Sequence, residues 1–79
     1  MNRYIATFYT HLSAITTLRS LEKVGIEAAL GPVPRRLSSS CGVCLRFEAQ
    51  EPPLNLLDED YEGLYLCEGQ EYRPIVRQE

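Results

Sequence analysis

The stretch RYIATFYTHLSAITTLRSLEKVGIEAAL, residues 3–30, decides the fold. Residues 3–9 are rich in aromatic and β-branched side chains and predict a strand, with Tyr4, Ala6 and Phe8 on one face and the nearly as apolar Ile5, Thr7 and Tyr9 on the other, so the pattern leaves open which face meets the core. Thr10 offers a hydroxyl to a free backbone N–H and caps a helix predicted over residues 11–24. Along it Ala14, Ile15, Leu18 and Leu21 recur at helical spacing and make the buried stripe, while Arg19, Glu22 and Lys23 face water. Gly25 suits the left-handed position that ends a helix, and Ile26 is then placed to touch Leu21. Residues 26–30 follow as a second strand.

Working outward, Gly31-Pro32-Val33-Pro34 ends that strand, because proline removes ladder donors and fixes an extended backbone. Residues 35–40 are a polar loop. Residues 43–47 predict a third strand, with Val43, Leu45 and Phe47 on one face and Cys44 and Arg46 on the other. Glu51-Pro52-Pro53 breaks the chain, and residues 54–60 predict a short second helix with Leu54 and Leu57 facing inward. Residues 63–68 are a fourth strand, with Leu64 and Leu66 opposite Tyr65 and Cys67. In the tail, Tyr72, Ile75 and Val76 allow a short edge strand.

The order β-α-β-β-α-β predicts an α+β, ferredoxin-like split βαβ fold with a four-stranded antiparallel sheet. Strands 4–9 and 43–47, the most apolar, belong together at its centre. Both helices cross one sheet face, which leaves the other free for a partner or for a second copy in a homodimer. Residues 1–79 read as one domain. A chain this short buries only about 60% of its unfolded surface. Its thin core leaves little room for a deep substrate cavity, which favours a carrier or binding module over a stand-alone enzyme.

The formal net charge is −3 and the isoelectric point is near 5.1. This argues against nucleic acid as a partner, which needs a basic surface, and leaves Arg35-Arg36 as a local basic spot. No apolar run approaches the roughly 20 residues that span a bilayer. The opening Met1-Asn2-Arg3-Tyr4-Ile5 lacks the apolar stretch of a signal peptide. The expectation is a cytoplasmic chain with no membrane partner, in which Cys41, Cys44 and Cys67 stay reduced.

The chemistry concentrates in Leu37-Ser38-Ser39-Ser40-Cys41-Gly42. A thiolate or persulfide is the reactive form of a sulfur-bearing cysteine. Backbone N–H groups in a turn form an anion-binding nest, and Gly42 permits the backbone geometry it needs. The hydroxyls of Ser38, Ser39 and Ser40 are further donors, and Arg35 and Arg36 supply positive charge if the loop folds back. A polar turn followed by a small residue at a strand end accounts for the same residues without any chemistry.

Other uses of the cysteines compete. Cys41-Gly42-Val43-Cys44 has the spacing of a redox CxxC, which makes Cys44 a candidate second thiol. The following residues read as strand, however, and three extended residues span roughly 10 Å. That exceeds the Cα separation of about 4.4–6.8 Å in a disulfide, unless Gly42 turns the chain. Cys41, Cys44, Cys67 and His11 lack the second CxxC or the His-x₃-His that would argue for zinc, so no metal is assigned, and His11 reads as a helix-start residue near the surface. The acidic run Asp58-Glu59-Asp60 with Glu62 reads as a solvated turn, and no Gly-rich phosphate loop or other cofactor signature is present. Cys67 alternates with leucines on a strand and reads as packing.

The run PVPRRLSSSCGVCLRF, residues 32–47, resembles the signature of a small family of domains described as selenium or sulfur carriers. The opening Tyr4-Ile5-Ala6-Thr7-Phe8-Tyr9-Thr10 and the Gly25-Ile26 helix stop are similar to it as well. The resemblance implies that Cys41 is the carrier cysteine, with Ser38, Ser39, Ser40 and Gly42 matching the motif around it. It also implies protein partners that donate and accept sulfur or selenium, the donor being of the cysteine desulfurase type. A non-catalytic ferredoxin-like interaction domain and a thiol redox module using Cys41 and Cys44 are the alternatives.

Overall fold

The computed structural model describes residues 1–78. Strand β1 (Asn2–Phe8) leads into helix α1 (His11–Lys23), followed by β2 (Ala28–Pro32), β3 (Val43–Ala49), a 3₁₀ turn (Leu54–Leu56), β4 (Tyr61–Glu68) and β5 (Glu71–Arg77). The sheet order is β2-β3-β1-β4-β5, and every neighbouring pair is antiparallel. β3 is inserted between β1 and β2, which is the split βαβ arrangement. β1 lies in the centre with β3 beside it.

Both ends of α1 form by local rules. The Thr10 side chain accepts from the Ser13 N–H at 3.1 Å. At the other end Gly25 adopts φ +84°, its N–H bonds the Glu22 carbonyl at 3.0 Å, and the Ile26 N–H bonds Leu21 at 2.9 Å. These are the paired hydrogen bonds of a Schellman stop. The buried helix residues are Ser13, Ala14, Thr17 and Leu21, with Leu18 half-buried. Ile15 is a correction to the predicted stripe: it is 37% exposed, on the helix flank facing β2.

Tyr4, Ala6, Phe8, Leu45, Phe47 and Leu64 form the core beneath the helix. Register explains the sharing: Tyr4 faces Phe47 and Leu66, and Ala6 faces Leu45 and Leu64. Full burial of side chains such as Phe8 and Leu45 stabilises the sheet by about 1.5–3 kcal/mol each.

The sheet has five strands, not four. Glu68 pairs with Glu71, so Gly69 and Gln70 alone make the hairpin loop, and Gly69 takes φ +60°. A two-residue loop with positive φ at its first position matches the twist of paired strands. β5 is an edge strand with a register shift opposite Leu64/Tyr65, so Pro74 is accommodated there. β2 runs two residues further than the prolines predict, with Pro32 paired to Val43, for the same reason: it is the other edge.

The expected second helix is reduced to the 3₁₀ turn at Leu54–Leu56. β3 ends with Ala49 opposite Asn2, and β4 begins with Tyr61 opposite Phe8. Residues 50–60 must therefore run back along β1, about 20 Å for a strand of this length. Two helical turns over residues 54–60 would advance only about 10 Å, leaving almost no slack to step across β1 and clear the helix layer. The chain stays extended instead, and the Asp58 N–H is anchored to Thr17 Oγ1 at 2.9 Å.

The second sheet face is not free along its whole length. Ile5, Thr7, Cys44 and Tyr65 alternate with the core residues and so point away from α1, yet their exposures are 1%, 0%, 0% and 8%. The connection between β2 and β3, residues 33–42, crosses this face. Arg36 Nη1 donates to the Gln70 carbonyl at 2.8 Å, and Ser38 shares a cavity with Tyr65 and Pro74. The Tyr65 ring folds back over Gly63, where an added Cβ would meet it at 3.0 Å. No helix among the described residues is long and apolar enough to cross a membrane.

Candidate functional site

The connection rounds the C-terminal end of β1 before it enters β3, and Cys41 sits on that rim. Three contacts hold it. Ser39 Oγ donates to the Phe8 carbonyl at 3.0 Å. The Ser40 N–H donates to Glu62 Oε1 at 3.0 Å, and Ser40 Oγ donates to Glu62 Oε2 at 3.4 Å. His11 Nε2 donates to the Cys41 carbonyl at 3.1 Å, tying the rim to the first residue of α1. Gly42 then turns the chain with φ +74°. A Cβ there would meet nothing within 4 Å, so the glycine is needed for its backbone angle rather than for space.

The Cys41 side chain is half-buried against the apolar core. Its Sγ lies 3.7 Å from the Val43 carbonyl and 4.0 Å from Ser39 Oγ. The single Ser39 hydroxyl proton is directed to Phe8, so toward Cys41 that oxygen is an acceptor. Both near neighbours of the sulfur therefore accept, and the S–H donates. To serve a sulfur anion, the Ser39 hydroxyl must turn from the Phe8 carbonyl toward Sγ, a rotation about one bond.

The other predicted site residues divide. Ser39 is beside the sulfur. Ser40 spends both its donors on Glu62, and Ser38 is exposed on the far side of the connection. Arg36 is bound to the β4–β5 turn, and Arg35 is exposed. Cys44 is on the adjoining strand, fully buried, with Sγ donating to the Pro32 carbonyl at 3.4 Å. Burial pushes the Cys44 thiol up from its ordinary value, partly offset by the nearby Arg46 guanidinium and reinforced by Cys67 and Cys41. Burial likewise raises Cys67, against the pull of Arg3 and Arg46. All three cysteines are free thiols.

Sequence reasoning missed Glu62 and underrated His11. Glu62 reads as part of a solvated acidic stretch, and nothing local announces its partner. His11 reads as a surface residue at a helix start, but the turn of the chain at Thr10 brings it under the rim. His11 also lines a shallow groove of about 250 Å³ with Ile15, Leu30, Gly31 and Val43.

A family model described as "Putative Se/S carrier protein-like" matches residues 3–59. The match takes in β1, α1, β2, the whole rim segment and β3, and stops short of β4. No curated protein and no solved structure matches the chain.

Proposed function

The chain belongs to the Se/S carrier protein-like family, and from that premise we propose that it carries sulfur or selenium on Cys41 for delivery to a partner protein. The observation that supports this is the placement of Cys41. It is the loop thiol within the matched residues, on a rim held by β1, β4 and α1, whereas Cys44 is sealed inside a strand.

The transfer step is an exchange at sulfur. The Cys41 thiolate attacks the outer sulfur of a donor persulfide, and a new S–S bond forms at Cys41 as the donor's S–S bond breaks. The donor leaves as its thiolate, taking the bonding pair, and Cys41 holds the persulfide. Delivery repeats the exchange with a thiol of the acceptor attacking the carried sulfur. No net oxidant is consumed. The selenium version substitutes a selenium atom for the transferred sulfur. The donor and acceptor are proteins, and a reducing compartment such as the cytoplasm keeps Cys41 free between cycles.

Mass spectrometry of the intact chain after incubation with a persulfide donor tests this reading. Wild type is expected to gain one sulfur atom, mapped to Cys41, and Cys41→Ser to gain none. Loading that survives Cys41→Ser, or maps to Cys67, defeats the proposal. Equal loss in Cys41→Ser and Cys44→Ser would instead make the pair a redox unit.

A further inference from the structure

We infer that Glu62 is a positioning residue for Cys41. Its carboxylate holds the rim segment closed, keeping the thiol half-buried until a partner displaces that segment. The inference deepens the carrier reading and rests on it for its purpose, but the geometry stands on its own.

Glu62 lies near the start of β4, outside the residues that the family model matches. Both of its carboxylate oxygens are engaged by Ser40, the residue immediately before Cys41. The pairing removes the Ser40 N–H from the donors that a loop of this type could turn toward a sulfur anion. The β4–β5 hairpin grips the same connection a second time, through the Gln70 carbonyl and Arg36. Two tethers from one hairpin thus fix a connection that has no regular secondary structure of its own. The remaining tethers, Ser39 to Phe8 and His11 to Cys41, come from β1 and α1. Glu62 is the only one of these partners that holds the segment by a side-chain carboxylate, and it is solvent-accessible. An approaching donor or acceptor can therefore compete for Ser40 without opening the core.

Two rates measured on the same variants test this: alkylation of Cys41 by iodoacetamide, and sulfur loading from a persulfide-bearing donor protein. Glu62→Ala should speed alkylation of Cys41 by on the order of fivefold, the effect of losing a two-point hydrogen-bonded contact. It should speed protein-mediated loading as well, because the donor no longer has to displace the rim segment to reach the thiol. Glu62→Gln should restore both rates, since its amide oxygen accepts from the Ser40 N–H and its amide nitrogen donates to Ser40 Oγ. Alkylation of Cys44 is the internal control and should not change.

The inference is overturned if Glu62→Ala leaves Cys41 alkylation unchanged. It is equally overturned if Glu62→Gln behaves like Glu62→Ala, which would assign the effect to charge, or if Cys44 is accelerated along with Cys41, which would mean general loosening. Failure of the carrier reading is seen separately, as absence of loading in the wild type, and leaves the alkylation arm to decide the role of Glu62.

Discussion

Cys41 and Cys44 are separated by two residues and occupy different chemical worlds. Cys41 sits where the chain leaves an irregular connection, with its sulfur beside a rotatable serine hydroxyl and its carbonyl tied to a histidine. Cys44 sits one strand position inside β3, opposite Thr7 and Gly31, under the connection that crosses the second sheet face. Gly42 separates them: its positive φ ends the loop and lets Val43 start the ladder with Pro32. The surroundings of a cysteine in a short chain are thus set less by its place in the sequence than by the side of a backbone turn on which it falls.

The comparison can be broken most sharply by reagent access. Iodoacetamide should label Cys41 faster than Cys44 by roughly a hundredfold or more, because reaching Cys44 requires opening of an interior strand pair. Peptide mapping after timed alkylation measures the ratio. Comparable rates would show that the connection does not cover that face in solution.

Stability should rank the two thiols in the opposite order. Cys44→Ser places a hydroxyl in a fully buried site and is expected to cost about 1–2 kcal/mol, since the single bond to Pro32 only partly offsets its desolvation. Cys41→Ser, at a half-exposed rim, should stay within about 0.5 kcal/mol of wild type. Urea unfolding midpoints at equal m-value decide this. A larger loss at Cys41 than at Cys44 would reverse the assignment of function to one and packing to the other.

The smallest effect is with pH. The Cys44 and Cys67 thiols are raised above the ordinary value of 9.0 in the folded chain. Above that value the unfolded chain releases these protons while the folded chain retains them, so the folded state binds more protons and stability falls as pH rises. The contribution is whole below about pH 9 and is lost as pH climbs through the folded values. Thermal unfolding of wild type should show a decline across the alkaline range, and Cys44→Ala should flatten it. A decline unchanged in Cys44→Ala would place its source elsewhere.

Much of this was legible in residues 3–49, where the rules are local. Thr10 and Gly25 carry the two ends of α1 in their own side-chain chemistry and backbone freedom, and Leu45 and Phe47 mark the core face of β3 by alternation, whereas β1 is apolar and buried on both faces. The Cys41 turn was legible too, because Gly42 beside a polar run fixes where the strand can begin. Residues 50–77 were less legible. The apolar spacing of Leu54 and Leu57 satisfies a helix, but the distance from the end of β3 to the start of β4 does not. The Glu71–Arg77 segment has an ordinary edge composition, with Pro74 within it, that allows a short edge strand at Tyr72, Ile75 and Val76 but does not fix its full seven residues until β4 is there to pair with it.

The sequence by itself therefore determined the strand-helix-strand beginning, the stops of the helix, the core face of β3 and the position of the loop thiol. Each follows from side chains acting within a turn or two of the chain. Only the tertiary structure decided that the connection folds across the second sheet face, that Arg36 reaches Gln70, that His11 lies under the Cys41 carbonyl and that Glu62 grips Ser40. Those pairings join residues far apart in the chain, and their energies become available only after the sheet has brought the strand ends together. No periodicity in the sequence records them.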